Sequence, residues 1–156
     1  MENHSVFESI QARQERSMSE IEEIIDAFEF LDDWDARYQY LIELGEDLST
    51  ITADMKTDEN WVKPCMSTVH VAAQRVPQQP ELIRFIGDCD TAIIKGVLAL
   101  LIDLLSYRTL QEIREMDVDA LFRQLQLEEH LSPNRHVGIY AIVDKMRERA
   151  AALPLN

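Results

Sequence analysis

Apolar residues recur at helical spacing early in the chain. Ile21, Ile24, Ile25, Phe28 and Leu31 fall on one stripe, which predicts an amphipathic helix. Asp32-Asp33 breaks it and offers an N-cap to a second helix, whose stripe is Trp34, Tyr38, Leu41 and Ile42 and whose stop is Gly45. Together they predict a helical hairpin. Between Ser49 and Glu59 the periodicity vanishes and a polar loop is expected. The period then changes to two: Val69, Val71 and Ala73 alternate with Thr68, His70 and Gln74, as in a strand with one buried face. Pro77-Gln78-Gln79-Pro80 interrupts, and Leu82 to Ile86 resumes extended character, so an antiparallel hairpin is predicted. Gly87-Asp88-Cys89-Asp90 closes the second strand.

Thr91 opens a helix that runs to about Ser106 and is apolar nearly all round, which places it in the middle of the fold. Thr109-Leu110-Gln111-Glu112 fits a capping box and starts a short helix. A second short helix is expected from Val118 to Leu125, and Ser132-Pro133-Asn134-Arg135 starts a last one along Ile139, Ile142, Val143 and Met146. Helices, a strand pair, then helices predict an α+β fold of two layers, a small antiparallel sheet packed against helices. Residues 1–19 are polar and weakly patterned and read as an N-terminal extension, with a single domain over residues 20–152.

Composition narrows the partners. The 156 residues suit one core, and 46% hydrophobic with 28% charged residues is ordinary for a soluble globular chain. With 29 acidic against 15 basic residues the formal charge is -14. Nucleic acid and anionic membrane surfaces are therefore poor partners; the acidity either steers the chain toward a basic patch on a protein or simply keeps it soluble. The first residues lack the basic start and apolar run of a secretory signal, and the apolar stretch Gly96 to Leu105 is too short to span a bilayer. Two cysteines make no disulfide framework, so a reducing cytoplasm is expected, where thiols stay free. Nothing in the pattern sets an oligomeric state.

The candidate chemistry centres on Asn60-Trp61-Val62-Lys63-Pro64-Cys65-Met66-Ser67-Thr68-Val69. Cys65 sits between a polar loop and a strand, reachable on one side and fixed on the other. Lys63 two residues earlier would favour the nucleophilic thiolate, unless it is simply a solvated loop lysine. A small buried hydrophobe is the competing reading of Cys65.

Four stretches in order carry a family resemblance. They are Trp34-Asp35-Ala36-Arg37-Tyr38 with Leu41-Ile42-Glu43-Leu44-Gly45; Val62-Lys63-Pro64-Cys65-Met66-Ser67-Thr68-Val69; Gly87-Asp88-Cys89-Asp90-Thr91-Ala92-Ile93-Ile94-Lys95-Gly96; and Leu131-Ser132-Pro133-Asn134-Arg135 with Gly138. The chain resembles SufE, the sulfur-acceptor proteins that work beside a cysteine desulfurase in iron–sulfur cluster assembly, from about Ile24 to Ala151. The resemblance implies a SufE/IscU-like fold and a persulfide-accepting Cys65 that stimulates the desulfurase and passes sulfur to a scaffold complex. It implies no resident cofactor, since PLP belongs to the desulfurase. It also points to Asp90, as a helix cap or as an orienting group for the cysteine loop, and to Arg135, facing a partner's acidic surface or paired with an internal carboxylate. Such a carrier turns over its own cysteine, so whether it counts as an enzyme is partly convention.

Three positions depart from the family pattern: Pro64 stands where glycine is common, Cys89 where serine is frequent and His70 where tryptophan is frequent. Proline implies a stiffer loop. Cys89 reads as a buried serine substitute, or as a second thiol near enough to Cys65 to bridge it or accept sulfur. Cys65, Cys89, His70 and an aspartate are also a conceivable zinc set, without the short spacing that would mark one. His4, His130 and His136 have no ligand spacing and are expected at the surface. The alternatives to a carrier are an independent thiol enzyme (peroxidase or hydrolase) and a non-catalytic interaction module. For a hydrolase His70 is awkward as a base, since five positions along a strand put it on the opposite parity from Cys65.

Overall fold

The computed structural model describes residues 21–48, 51–65 and 67–154; the expected extension over residues 1–19 lies outside them. α1 occupies residues 21–30, and α2 is Trp34–Glu46, capped by the Asp33 carboxylate on the Asp35 amide at 3.0 Å. A single 3-10 turn, Ala53–Met55, interrupts the loop that follows. β1 (Val69–Val76) and β2 (Gln79–Cys89) then form the antiparallel hairpin. α3 is Ala92–Leu105, α4 Leu110–Glu115, α5 Val118–Gln124, α6 Leu127–His130 and α7 Pro133–Ala151. The fold is α+β, as the change of period from 3.6 to two and back predicts.

Register fixes which strand residues face the core. Val69 opposes Cys89, Val71 opposes Gly87 and Ala73 opposes Phe85, and this row faces the core; His70 opposes Asp88 in the alternate row. The hairpin turns at Pro77-Gln78, with Gln78 at φ 70. β2 is longer than the apolar run Leu82–Ile86: it includes Pro80 and continues through Gly87-Asp88-Cys89, the stretch expected to close it. Backbone pairing carries the alternation on after the apolar run stops.

Both sheet edges are occupied by segments too short to show a period in sequence. Asn60 O accepts from Val71 N, and Val62 N donates to Val69 O, each at 2.9 Å, beside β1. On the far side, Tyr107 N donates to Ile83 O at 2.7 Å and Ile83 N to Arg108 O at 2.9 Å.

α3 is buried nearly all round, through Ile94, Val97, Leu98, Leu100, Leu101, Leu104 and Leu105. It packs on α2 and β2, while α7 covers β1. The α2–α3 approach is so close that a β-carbon on Gly96 would lie 2.1 Å from Leu41 O. Gly45, expected as a stop signal, is the next-to-last residue of α2, and a β-carbon there would come within 2.8 Å of Gly96 N; it also makes room for contact between helices.

Candidate functional site

Cys65 lies in the connection between the Asn60–Val62 edge segment and β1. The Val62–Val69 hydrogen bond closes this connection at its base, and Cys65 N donates to Val62 O at 3.3 Å, so the backbone turns at Lys63-Pro64. Pro64 is exposed at the turn, and Cys65 is half-buried and free. Its sulfur rests on Gly138 of α7, where an added β-carbon would sit 2.8 Å away. Glycine in the middle of a helix costs stability relative to alanine. Here it leaves the space that the thiol occupies.

Two bonds pin the far side of the loop. Thr68 N donates to Asp90 Oδ1 at 2.9 Å, and the Ser67 and Thr91 hydroxyls meet at 2.6 Å. The N-cap residue of α3 is Thr91, whose side chain makes no capping bond, and Asp90 does not cap either. Of the two geometries considered for Asp90, its carboxylate adopts the one that holds the cysteine loop.

Lys63 is committed elsewhere. Its ammonium pairs with Asp58 at 3.0 Å and lies 5.8 Å from the centre of the Trp61 ring. Arg135 lines a groove of about 370 Å³ with Cys65, Ser67, Thr91, Ile94, Ser132 and Asn134. Its backbone amide donates to the Ser132 cap at 3.4 Å, but among the described residues no carboxylate pairs with its guanidinium. The internal ion pair considered for it is absent there.

Cys89 is buried on the core-facing row, its sulfur accepting from Thr91 N at 3.4 Å and donating to Thr91 O at 3.6 Å. Burial pushes its thiol up to about 11, against the opposing pull of the Thr91 hydrogen bond, and charge on Cys65, Asp90 and Asp88 adds to the rise. The serine-substitute reading matches this environment, and neither cysteine is bridged. Among the described residues no three of His, Cys, Asp and Glu converge as a metal-ligand set, so the zinc reading of Cys65, Cys89, His70 and an aspartate falls. Burial lowers the pKa of His70, and Lys56 lowers it further against the pull of Asp88. Among the described residues no hydrogen bond reaches the Cys65 sulfur.

The early motif supports the site from a distance. Trp34 stacks on His130 at 3.8 Å between ring centres, and the Tyr38 hydroxyl donates to His130 O. Arg37 lies over the rings of Phe28 and Trp34 and donates to Leu31 O at 2.7 Å. These contacts fix the α6–α7 turn, and with it Ser132 to Arg135. His130 and His136, expected at the surface, are thus half-buried; His136 Nε2 is enclosed among Phe122, Leu127 and Ile139. His4 lies outside the described residues.

The pattern of the family described as SufE, Fe-S metabolism associated domain, matches residues 22–150. The chain belongs to the SufE family. It is 36% identical over 135 residues to an uncharacterized SufE-like protein of Rhizobium etli, covering 85% of this chain and 90% of that one. It is 33% identical over 134 residues to an uncharacterized SufE-like protein of Rhizobium meliloti, covering 85% and 96%. The solution structure of a hypothetical protein from Thermus thermophilus shares the fold at a TM-score of 0.66 and 18% identity, covering 84% of this chain and 93% of that one. Association with Fe–S metabolism follows for this SufE-family chain. Among the described residues no helix is long and apolar enough to cross a membrane.

Sequence reasoning singled out Cys65, Asp90 and Arg135 but not the groove around them. Ser67, Thr91, Ile94, Ser132 and Asn134 were legible only as members of quoted stretches, since no spacing rule joins a loop, a helix cap and a distant helix start.

Proposed function

We propose that this chain is a sulfur carrier that accepts persulfide sulfur on Cys65 from a cysteine desulfurase, stimulates that enzyme, and passes the sulfur to an iron–sulfur scaffold complex in the cytoplasm. The observation that carries the reading is the placement of Cys65: free, half-buried, on a closed loop at the rim of a groove. The Cys65 thiolate attacks the outer sulfur of the partner's persulfide. A new S–S bond forms at Cys65, the partner's S–S bond breaks, and its cysteine leaves as thiolate, as in thiol–disulfide exchange. This needs access and a leaving group but no metal and no general base on the chain.

Asp90 acts as a positioning residue through Thr68, and Arg135 meets the incoming partner. Cys89, held as a neutral buried thiol, takes no sulfur at neutral pH. The test is intact mass after incubation with a cysteine desulfurase and free cysteine. Gain of one sulfur atom, lost in Cys65→Ser and kept in Cys89→Ser, is expected. Sulfur gain that survives Cys65→Ser overturns the assignment.

A further inference from the structure

The groove beside Cys65 differs in its carboxylate content from two others of similar size among the described residues. The two grooves flanking Leu48, of about 390 and 310 Å³, are lined by Asp47 and Asp103, with Glu23 in the first and Arg84 in the second. The Cys65 groove, about 370 Å³, has no carboxylate among its lining residues and one cation, Arg135. In a chain of formal charge -14 this lining is less acidic than those two, with the Asp90 carboxylate standing behind it on Thr91 Oγ1 at 3.3 Å. Its volume lies in the range of small-molecule sites, about 300–1,000 Å³. Among the described residues neither the Arg135 guanidinium nor the Asn134 amide has a partner. The Ser67–Thr91 hydroxyl pair and Ile94 complete the wall. A planar guanidinium suits a carboxylate because its donors match two oxygens at once, a match it also offers phosphate.

We propose that this groove binds a small carboxylate-bearing thiol, which takes the sulfane sulfur directly from Cys65. The transfer step rests on the carrier reading above. Arg135 and Asn134 hold the carboxylate, leaving the ligand's thiolate beside Cys65. The thiolate attacks the outer sulfur of the Cys65 persulfide. The bond between that sulfur and Cys65 Sγ breaks, its electron pair returns to Cys65 as thiolate, and the small thiol leaves as its own persulfide. The proton on the sulfane sulfur travels with it, and no outside oxidant or reductant is needed.

Binding is tested without any desulfurase, by alkylating Cys65 with iodoacetate and with iodoacetamide, reagents of similar size that differ in charge. Mass mapping assigns each adduct to Cys65. The chain's net charge alone would repel iodoacetate. The groove predicts the opposite: a rate ratio of iodoacetate to iodoacetamide at least about fivefold above that of a free small thiol, saturating with iodoacetate. Arg135→Gln brings the ratio down to the free-thiol value, while Arg114→Gln, the same charge change outside the groove, leaves it high. A wild-type ratio at or below that of the free thiol overturns the proposal. In the second arm, protein persulfidated with inorganic polysulfide discharges to 3-mercaptopropionate with saturation, and to 2-mercaptoethanol without it. Equal, unsaturable discharge to both overturns the acceptor role. Failure of a desulfurase to load Cys65 counts against the carrier reading alone, since neither arm uses that enzyme.

Discussion

Replacing Gly138 by alanine tests whether the cysteine loop can move. A β-carbon there lies 2.8 Å from Cys65 Sγ, 3.4 Å from its Cβ and 3.6 Å from its Cα. Carbon-scale contact is comfortable from about 3.5 to 4.0 Å, so the sulfur must retreat by roughly 0.7–1.2 Å while the rest of the residue stays almost in place. Turning the side chain off its preferred rotamer costs about 0.5–1.5 kcal/mol. Removing glycine from the interior of α7 returns about 1 kcal/mol. The two nearly cancel, so Gly138→Ala should unfold within about 1 kcal/mol of wild type in urea. The displaced sulfur should meanwhile react several-fold faster with iodoacetamide. A loss above about 3 kcal/mol with no gain in reactivity would refute the reasoning, because it would mean that the loop cannot yield and the helix must.

Other outcomes follow from the same geometry. Gly96→Ala drives its β-carbon into the α2 backbone, 2.1 Å from Leu41 O and 2.6 Å from Leu41 C, and should cost at least about 2 kcal/mol in urea unfolding. Asp90→Ala removes the 2.9 Å acceptor of Thr68 N; it should cost about 1 kcal/mol and speed Cys65 alkylation. The raised Cys89 thiol sets a pH dependence: its contribution is complete below its ordinary value of 9.0 and lost as pH rises through about 11. Across that window wild type should lose roughly 2–3 kcal/mol more than Cys89→Ser. Tyr140, also raised by burial and by Asp119 and Glu128, is common to both proteins and cancels in the comparison.

The sequence makes long elements legible because each has a period to read. The central helix shows as a run apolar nearly all round, broken only by Lys95 and Asp103, and the Thr109–Glu112 capping box forms with both of its bonds. Asp33 caps α2 as its place before the stripe predicts. Segments whose order comes from pairing were hidden: the Asn60–Val62 and Tyr107–Arg108 edges each lean on a neighbouring strand and carry no pattern of their own. Gly45 does two things at once: α2 stops one residue after it, with Gly45 O accepting from the capping turn, and it leaves the gap that α3 fills. At the site, Cys65 could be singled out from its local setting. Lys63 could not be placed, since a side chain two residues away has room to turn to Asp58 instead.

The Val62–Val69 and Thr68–Asp90 bonds set a leash. Cys65 is three residues from Val62 and three from Thr68, and a fully stretched chain spans at most about 3.3–3.6 Å per residue. The thiol's backbone therefore roams no farther than about 10 Å from either tether, whatever the rest of the molecule does. In the proposed carrier role, a donor recessed deeper than that in another protein is out of range and must be carried outward to meet it. Insertions within residues 63–67 would lengthen the tether, which makes the size of this short loop the property that decides which partners the sulfur can visit.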